Sequence, residues 1–416
     1  MLPDTDIIVV GGGMAGFAAA MAAAQEGKKV TLVEKSNQLG GNATNSNVGT
    51  ICGAYYRTLK ETPTLVGYKF CKDFISELLS ISDKNKLINY HNGLFVVSYE
   101  WSVLADYIEQ QLTKAGVQIL KNAEITGVKK DGDTISQLII RNESQSIVLN
   151  PKNIIDCSGN GIVSQLAGLE MIISSSYQAA SQVFRVKHIA SDNEFSLNMA
   201  LKKAMMQLVV THQWSESFIS LSIIPGSLKN NQADFKITLP DVITDDTELN
   251  KQLALKGKAY INEIFPQLTK EVDSLKNAEI ELIFPEVGIR IQQRSMGKQV
   301  LTEEEVLSCN KPSDGIAIGA WPIEEWGEDG KLNMQYFNTD ESYMIPVGCL
   351  QSNDATNLFF AGKNISATTK AIGSARVIGT CLQTGYAAGK LATCNNEIEK
   401  EKMILSLHKE LIFGND

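Results

Sequence analysis

Gly11, Gly13 and Gly16 hold a G-x-G-x-x-G spacing directly after the apolar run Ile7-Ile-Val-Val10. Each glycine has its own task in such a turn. The first makes a tight bend, the second lets backbone approach a diphosphate, and the third lets a helix pack on a strand. A helix that opens at Met14 and Ala15 offers unpaired N–H groups and a positive dipole end to an anion. Glu34 follows 21 positions after Gly13, where a carboxylate can take the hydroxyls of a ribose, and Lys35 stands beside it. The chemistry these residues suit is the binding of a dinucleotide.

The surrounding elements must hold that geometry. Phe17-Ala-Ala-Ala-Met-Ala-Ala-Ala-Gln-Glu26 is rich in alanine and free of proline, a strong helix former. Gly27 stops it, and Lys29-Val-Thr-Leu-Val-Glu34 reads as the second strand. A glycine-rich turn with no ligand uses the same residue types. Strand, turn, helix, strand and acid in register favour the nucleotide.

Composition narrows the class. A chain of 416 residues with 44% hydrophobic and 20% charged residues reads as a soluble globular protein of two or three lobes. A net charge of −9 argues against nucleic acid as a partner. No apolar run reaches the roughly 18 residues of a membrane span, and the first strand follows the N-terminus with no basic leader, so a cytoplasmic location is expected. The seven cysteines, Cys52, Cys71, Cys157, Cys309, Cys349, Cys381 and Cys394, are odd in number, with no C-x-x-C pair. The four histidines are far apart, so neither a disulfide framework nor a metal site is expected.

Further along, Trp101–Ala115 carries helical periodicity and Val117–Leu120 reads as a short strand. Apolar runs from Ile125 to Ile140 flank an Asp131-Gly132 hairpin signal, and Ser146–Leu149 would complete a β-meander. Asn153-Ile-Ile-Asp156 reads as a strand entering the turn Cys157-Ser-Gly-Asn-Gly161. Residues 166–340 mix strand-like and helical pieces, including Ser181–Lys187, Phe235–Leu239 and Glu248–Ile264, and are expected to form an inserted domain. Asn357–Gly362 reads as a buried strand, Val377–Ala392 as a small-residue helix, and 396–416 as a charged helical tail.

A dinucleotide fold closed by a meander, with a returning C-terminal strand and helix, resembles the FAD-binding domain of glutathione-reductase-like flavoproteins. More narrowly, the chain resembles the FAD-dependent oxidoreductases distantly related to fumarate reductase flavoproteins. Besides the glycine turn with Glu34-Lys35, the resemblance rests on Leu39-Gly-Gly-Asn-Ala-Thr-Asn-Ser-Asn-Val-Gly49 and Asp156-Cys-Ser-Gly-Asn-Gly161. It rests also on Asn357-Leu-Phe-Phe-Ala-Gly-Lys-Asn-Ile-Ser-Ala-Thr368 and Gly373-Ser-Ala-Arg-Val377. The implied fold is α/β: a three-layer Rossmann-like FAD-binding domain from 1–165 and 341–395, with an inserted α+β substrate domain at 166–340.

The resemblance implies non-covalent FAD held by Gly11, Gly13, Met14, Ala15, Gly16, Glu34, Lys35, Gly41, Ile125, Gly159, Gly362, Asn364, Ser374, Arg376 and Val377. Thr44, Ser158 and Thr380 are further hydroxyl partners, or simple cap and turn residues. The helix starting near Val377 would point its positive end at the pyrimidine edge of the flavin. Many flavoproteins have an aspartate where Asn364 stands and a histidine where Thr369 stands.

Arg376 is the leading candidate for gripping a substrate carboxylate, with support of the flavin or a phosphate as its alternative. Arg290 and Arg294 lie in a basic segment and reach the active-site mouth or pair with Glu303–Glu305. Thr302 and Glu305 have capping-box spacing. Cys52 is a candidate near the flavin face, or a small buried residue. The expected function is hydride transfer between a small anionic substrate and FAD, with an open electron acceptor and a homo-oligomer allowed. Flavin-dependent isomerisation or dehydration, and a non-catalytic flavin-binding subunit, are the alternatives.

Overall fold

The computed structural model describes residues 5–142, 145–174, 177–244 and 247–414. Five parallel strands form the central sheet, in the order Leu358–Phe360, Asn153–Asp156, Ile7–Val10, Val30–Val33, Gln118–Leu120. Strand alternation divides its two faces. Ile7 and Val9 pack with the helices, whereas Ile8 and Val10 pack on the meander side chains Ile125, Ile135, Leu138 and Ile140. The result is a three-layer α/β domain. Val10, Val33, Asp156 and Phe360 end their strands at one level, and the order reverses at Ile7–Val10. Ligands of open α/β sheets bind at such a switch point, beyond the carboxyl ends of the strands.

Helix Met14–Gln25 is buried almost all round, which explains why alanine dominates it and no polar stripe runs along it. It lies between the sheet and helix Ile378–Leu391. A Cβ on Gly385 would overlap the carbonyl oxygen of Ala15, and one on Gly389 that of Ala19. The two helices therefore meet backbone to backbone. The meander consists of Ala123–Asp131, Thr134–Asn142 and Gln145–Leu149. Its first turn falls at Gly132-Asp133, one residue beyond the expected Asp131-Gly132, because Asp131 still pairs with Thr134.

A second, antiparallel sheet runs Ser222–Ile223, Ala233–Thr238, Ser181–Lys187, Glu279–Ile283. Helices Glu194–His212 and Thr247–Glu271 cover its Phe184, Phe235 and Ile237 face. Asp234 and Lys236 alternate to the opposite face, which looks toward the parallel-sheet domain. There Asn47 Nδ2 donates to Asp234 Oδ2 at 2.8 Å, and Arg185 Nη2 meets Glu100 Oε1 at 3.1 Å.

Strand Gly315–Gly319 pairs with Tyr343–Pro346, and the Gln383 amide brackets Ile318 by bonds of 2.9 Å to its N–H and carbonyl. The charged tail forms helix Glu397–Phe413, opened by an Asn396 side chain that accepts from Glu399 N. Among the described residues no helix is long and apolar enough to cross a membrane.

Candidate active site

The glycine turn is held open by its neighbours. Gly11 has φ +98°, and a Cβ there would lie 2.6 Å from the Cys157 carbonyl. At Gly16 a Cβ would overlap the Gly11 carbonyl, so strand and helix touch as the spacing predicts. Gly13 differs. Its φ is −70°, and the nearest atom to an added Cβ is Gly41 Cα at 4.0 Å. Neither backbone nor packing demands glycine at that position, and the space beside it fits a ligand backbone. Gly13 is also the N-cap of helix Met14–Gln25 and supplies no side-chain bond, leaving the first N–H groups for an anion.

Glu34 ends its strand beside this turn. One oxygen accepts Gly12 N at 2.6 Å, the other Ser36 N at 2.8 Å. Burial pushes its carboxyl upward, and these two N–H groups oppose the shift. Gly41 closes on Gly13 from the second loop, and Gly40 N donates to Gly12 O.

At the other end of the site, helix Ile378–Leu391 begins after Val377, again without a side-chain cap. Thr380, in its first turn, is fully buried, and its Oγ1 has no hydrogen-bond partner among the described residues. Such a group is costly unless something satisfies it. Two uncapped helix ends suit anionic groups, and the space at Gly13 and the orphaned Thr380 hydroxyl leave room and a partner for a ligand such as FAD. The residues fit the cofactor.

Other candidates spend their side chains on the protein. Thr44 Oγ1 donates to Leu39 O at 2.6 Å, and Ser158 Oγ to Asp156 Oδ1 at 2.6 Å, both turn contacts. Asn364 Oδ1 accepts Ser295 N at 2.9 Å, while its Nδ2 donates to Asp156 O at 3.3 Å. An aspartate could not make that second bond, which accounts physically for the amide. Ser374 Oγ bonds Tyr343 Oη at 2.7 Å and the Trp321 carbonyl. Gly362, with φ +68°, gives its N–H to Thr384 Oγ1 at 3.1 Å. Gly159 lies under Lys363, whose Nζ reaches Ile289 O at 2.8 Å. Ile125 belongs to the buried meander core.

Arg376 Nη2 bonds Glu324 Oε1 and Gln178 Oε1, each at 3.2 Å, and its Nε is buried without a partner among the described residues. Glu324 also accepts Trp326 Nε1 at 2.5 Å and Trp321 Nε1 at 2.9 Å. Burial alone would raise this carboxyl. The charges of Arg376 and Arg290 and the two indole N–H groups outweigh burial and hold it at about 2. Arg290 donates to the Ala179 carbonyl and stacks over Trp326, Cζ to ring centroid 4.7 Å. Burial, with Arg376 adding to it, lowers its guanidinium to about 9. Cys52 is half-buried, and burial followed by the Glu324 charge pushes its thiol up to about 12. It is a neutral thiol at ordinary pH.

The ion pairing expected between Arg290 or Arg294 and Glu303–Glu305 is replaced by other contacts. Arg294 is fully buried and bonds Ala367 O at 3.0 Å and Gln292 O at 2.7 Å. Glu303 accepts Thr368 Oγ1, and Glu305 completes the expected capping box with Thr302. The Glu303 and Glu305 carboxylates are thus engaged by Thr368 and Thr302.

Sequence reading missed Glu324, Trp321, Trp326, Gln178 and Lys236. A signal existed in Trp321-Pro-Ile-Glu-Glu-Trp326, where two of the four tryptophans bracket an acid. On strand Ile323–Trp326 the alternation puts Glu324 and Trp326 on one face.

Comparison with known proteins bears on the whole chain. A dihydrolipoamide dehydrogenase from Chaetomium thermophilum is 33% identical over 178 residues, 41% of this chain and 32% of that protein. The match thus spans about a third of the relative's length. The solved structure of BexE, studied for oxidation during BE-7585A biosynthesis, shares 11% identity over 98% of this chain and 66% of its own, with a TM-score of 0.51. A geranylgeranyl bacteriochlorophyll reductase-like protein from Thermoplasma acidophilum shares 14% identity over 98% and 83%, with a TM-score of 0.49. At these identities the likeness to BexE concerns the fold alone. The model of one family, described as FAD dependent oxidoreductase, matches residues 6–404, which take in the glycine turn, both uncapped helices and Arg376. The chain belongs to the FAD dependent oxidoreductase family.

Proposed function

We propose that this enzyme moves a hydride between a small anionic organic substrate and non-covalently held FAD. The observation that carries the reading is Arg376. Its Nε is buried with no partner among the described residues, and the next residue, Val377, directly precedes the uncapped helix that holds the orphaned Thr380 hydroxyl. A cation with a spare donor thus adjoins the flavin end of the site. FAD, when bound, supplies the redox chemistry, and the protein supplies position and charge.

The residues divide the work. Backbone N–H groups from Gly13 to Gly16 would hold the diphosphate, and Glu34 would take the ribose hydroxyls. The positive end of helix Ile378–Leu391 favours negative charge beside Thr380. Arg376 and Arg290 anchor the substrate anion through paired N–H donors. Glu324 fixes the Arg376 plane and keeps one of its edges occupied.

An anaerobic survey of small carboxylic acids against the purified, FAD-loaded protein tests this. Flavin bleaching by at least one acid, reversed by air and abolished by Arg376→Met, is the expected result. Acid precipitation should release all of the flavin. A protein that cannot be loaded with FAD, or whose flavin no anion reduces, overturns the reading.

A further inference from the structure

Three cations and one carboxylate gather around the Trp326 ring. Arg290 Cζ lies 4.7 Å and Lys236 Nζ 5.3 Å from its centroid. The indole N–H holds Glu324, which in turn holds Arg376. Both Glu324 oxygens are committed, one to Trp326 and Arg376 and the other to Trp321. Among the described residues Arg290 contacts a carbonyl and the ring, and Lys236 contacts the ring. The balance is three positive charges against one negative, with Arg290 only 9% exposed.

Strand geometry makes this a built feature. In Ala233–Thr238, Phe235 and Ile237 turn to the covering helices, and Lys236 is the residue between them that must face the other way. It arrives beside Arg290 although two like charges repel. Buried charge without a partner is strongly disfavoured, and contact with a ring face offsets only part of that cost. Lys236 is pushed down to about 8 by burial and by Arg290, as a lysine awaiting a counter-charge would be.

We propose that the ligand of this charge cluster carries two negative charges, with Lys236 taking the second anionic charge beside Arg290 and Arg376. This rests on the reading of Arg376 and Arg290 as the substrate anchors. Two carboxylates or one phosphate group would both satisfy the surplus, and the probes separate them.

The FAD-loaded protein is titrated near neutral pH and at constant ionic strength with acetate, malonate or inorganic phosphate, reading tryptophan emission. Malonate or phosphate should bind at least about tenfold more tightly than acetate. Lys236→Met should abolish that advantage while leaving acetate binding in place, and Lys236→Arg should retain it. Malonate ahead of phosphate indicates a spaced pair of carboxylates, and the reverse order a compact group. Equal affinities for acetate and both dianions overturn the proposal, as does an advantage that survives Lys236→Met. If the Met variant misfolds, loss of the advantage in a folded Lys236→Arg overturns it too. Failure of the underlying reading looks different: no anion binds the wild-type protein, and no acid bleaches its flavin.

Discussion

Arg376 Nη2 and Glu324 Oε1 stand 3.2 Å apart, with their side chains 11% and 14% exposed. Removing one member of such a pair leaves the other charge stranded. Glu324→Gln should therefore destabilise the fold by roughly 3–5 kcal/mol in urea unfolding. Adding Arg376→Met to it should restore part of that loss, because the stranded charge goes too. Equal stability of Glu324→Gln and wild type would refute the pairing.

The same pair sets an acid limit. The Glu324 carboxyl is held at about 2, below its ordinary 4.5. A depressed carboxyl contributes stability that is complete above the ordinary value and lost as pH falls toward the depressed one. Acid unfolding of wild type should thus steepen between pH 4.5 and 2 relative to the Glu324→Gln, Arg376→Met double variant.

Gly13 and Gly16 should separate cofactor binding from folding. At Gly13 an alanine has an allowed φ and open space, so Gly13→Ala should melt as wild-type apoprotein does. Its FAD affinity should fall by about tenfold or more, because the methyl takes ligand space. At Gly16 the methyl collides with Gly11 O, so Gly16→Ala should lose both FAD and roughly 1–3 kcal/mol of stability. Flavin-to-protein absorbance ratio and thermal melting of the apoprotein check the contrast.

Thr380→Val removes a hydroxyl with no protein partner. The apoprotein should keep or gain stability, whereas the FAD complex should weaken by about 1 kcal/mol, the worth of one hydrogen bond. Apoprotein destabilisation with unchanged FAD affinity would assign the hydroxyl to the protein interior.

Binding of a dianion should weaken as pH rises through about 8. Lys236 titrates there, facing Arg290, Glu324, Cys52 and Arg376, while Tyr90 and His91 also respond to Glu324. Bound anion favours the protonated amine, so above that pH each unit should cost up to about tenfold in affinity. A flat malonate affinity across this range, measured by tryptophan emission, would detach Lys236 from the ligand.

The parts of the fold legible in the sequence are those with local causes. The glycine turn, Gly27, the meander and the Thr302 capping box follow from residue type and short spacing. Helix Glu194–His212 was not legible. Its buried Leu197, Leu201, Met205 and Leu208 are interleaved with exposed Phe195, Met199, Met206 and Val210, which blurs the helical period. The charge cluster was illegible for another reason. Lys236, Arg290, Glu324 and Arg376 come from four distant segments, and only tertiary packing brings them together around Trp326 and its partner Glu324. Asn364 and Ser374 were expected to hold FAD, and residue type alone could not show that their polar atoms bond Ser295, Asp156, Tyr343 and Trp321.

Gly385 and Gly389 let two helices from opposite ends of the chain touch along their backbones. The site thereby acquires a fixed gauge. On the proposed reading, one helix would present its positive end to the diphosphate and the other to the ring system, so the span between them would have to match the length of the dinucleotide. That span is set where Gly385 and Gly389 meet Ala15 and Ala19. A side chain added at either glycine would act as a wedge, detuning both ends together while every ligand-facing residue stayed intact.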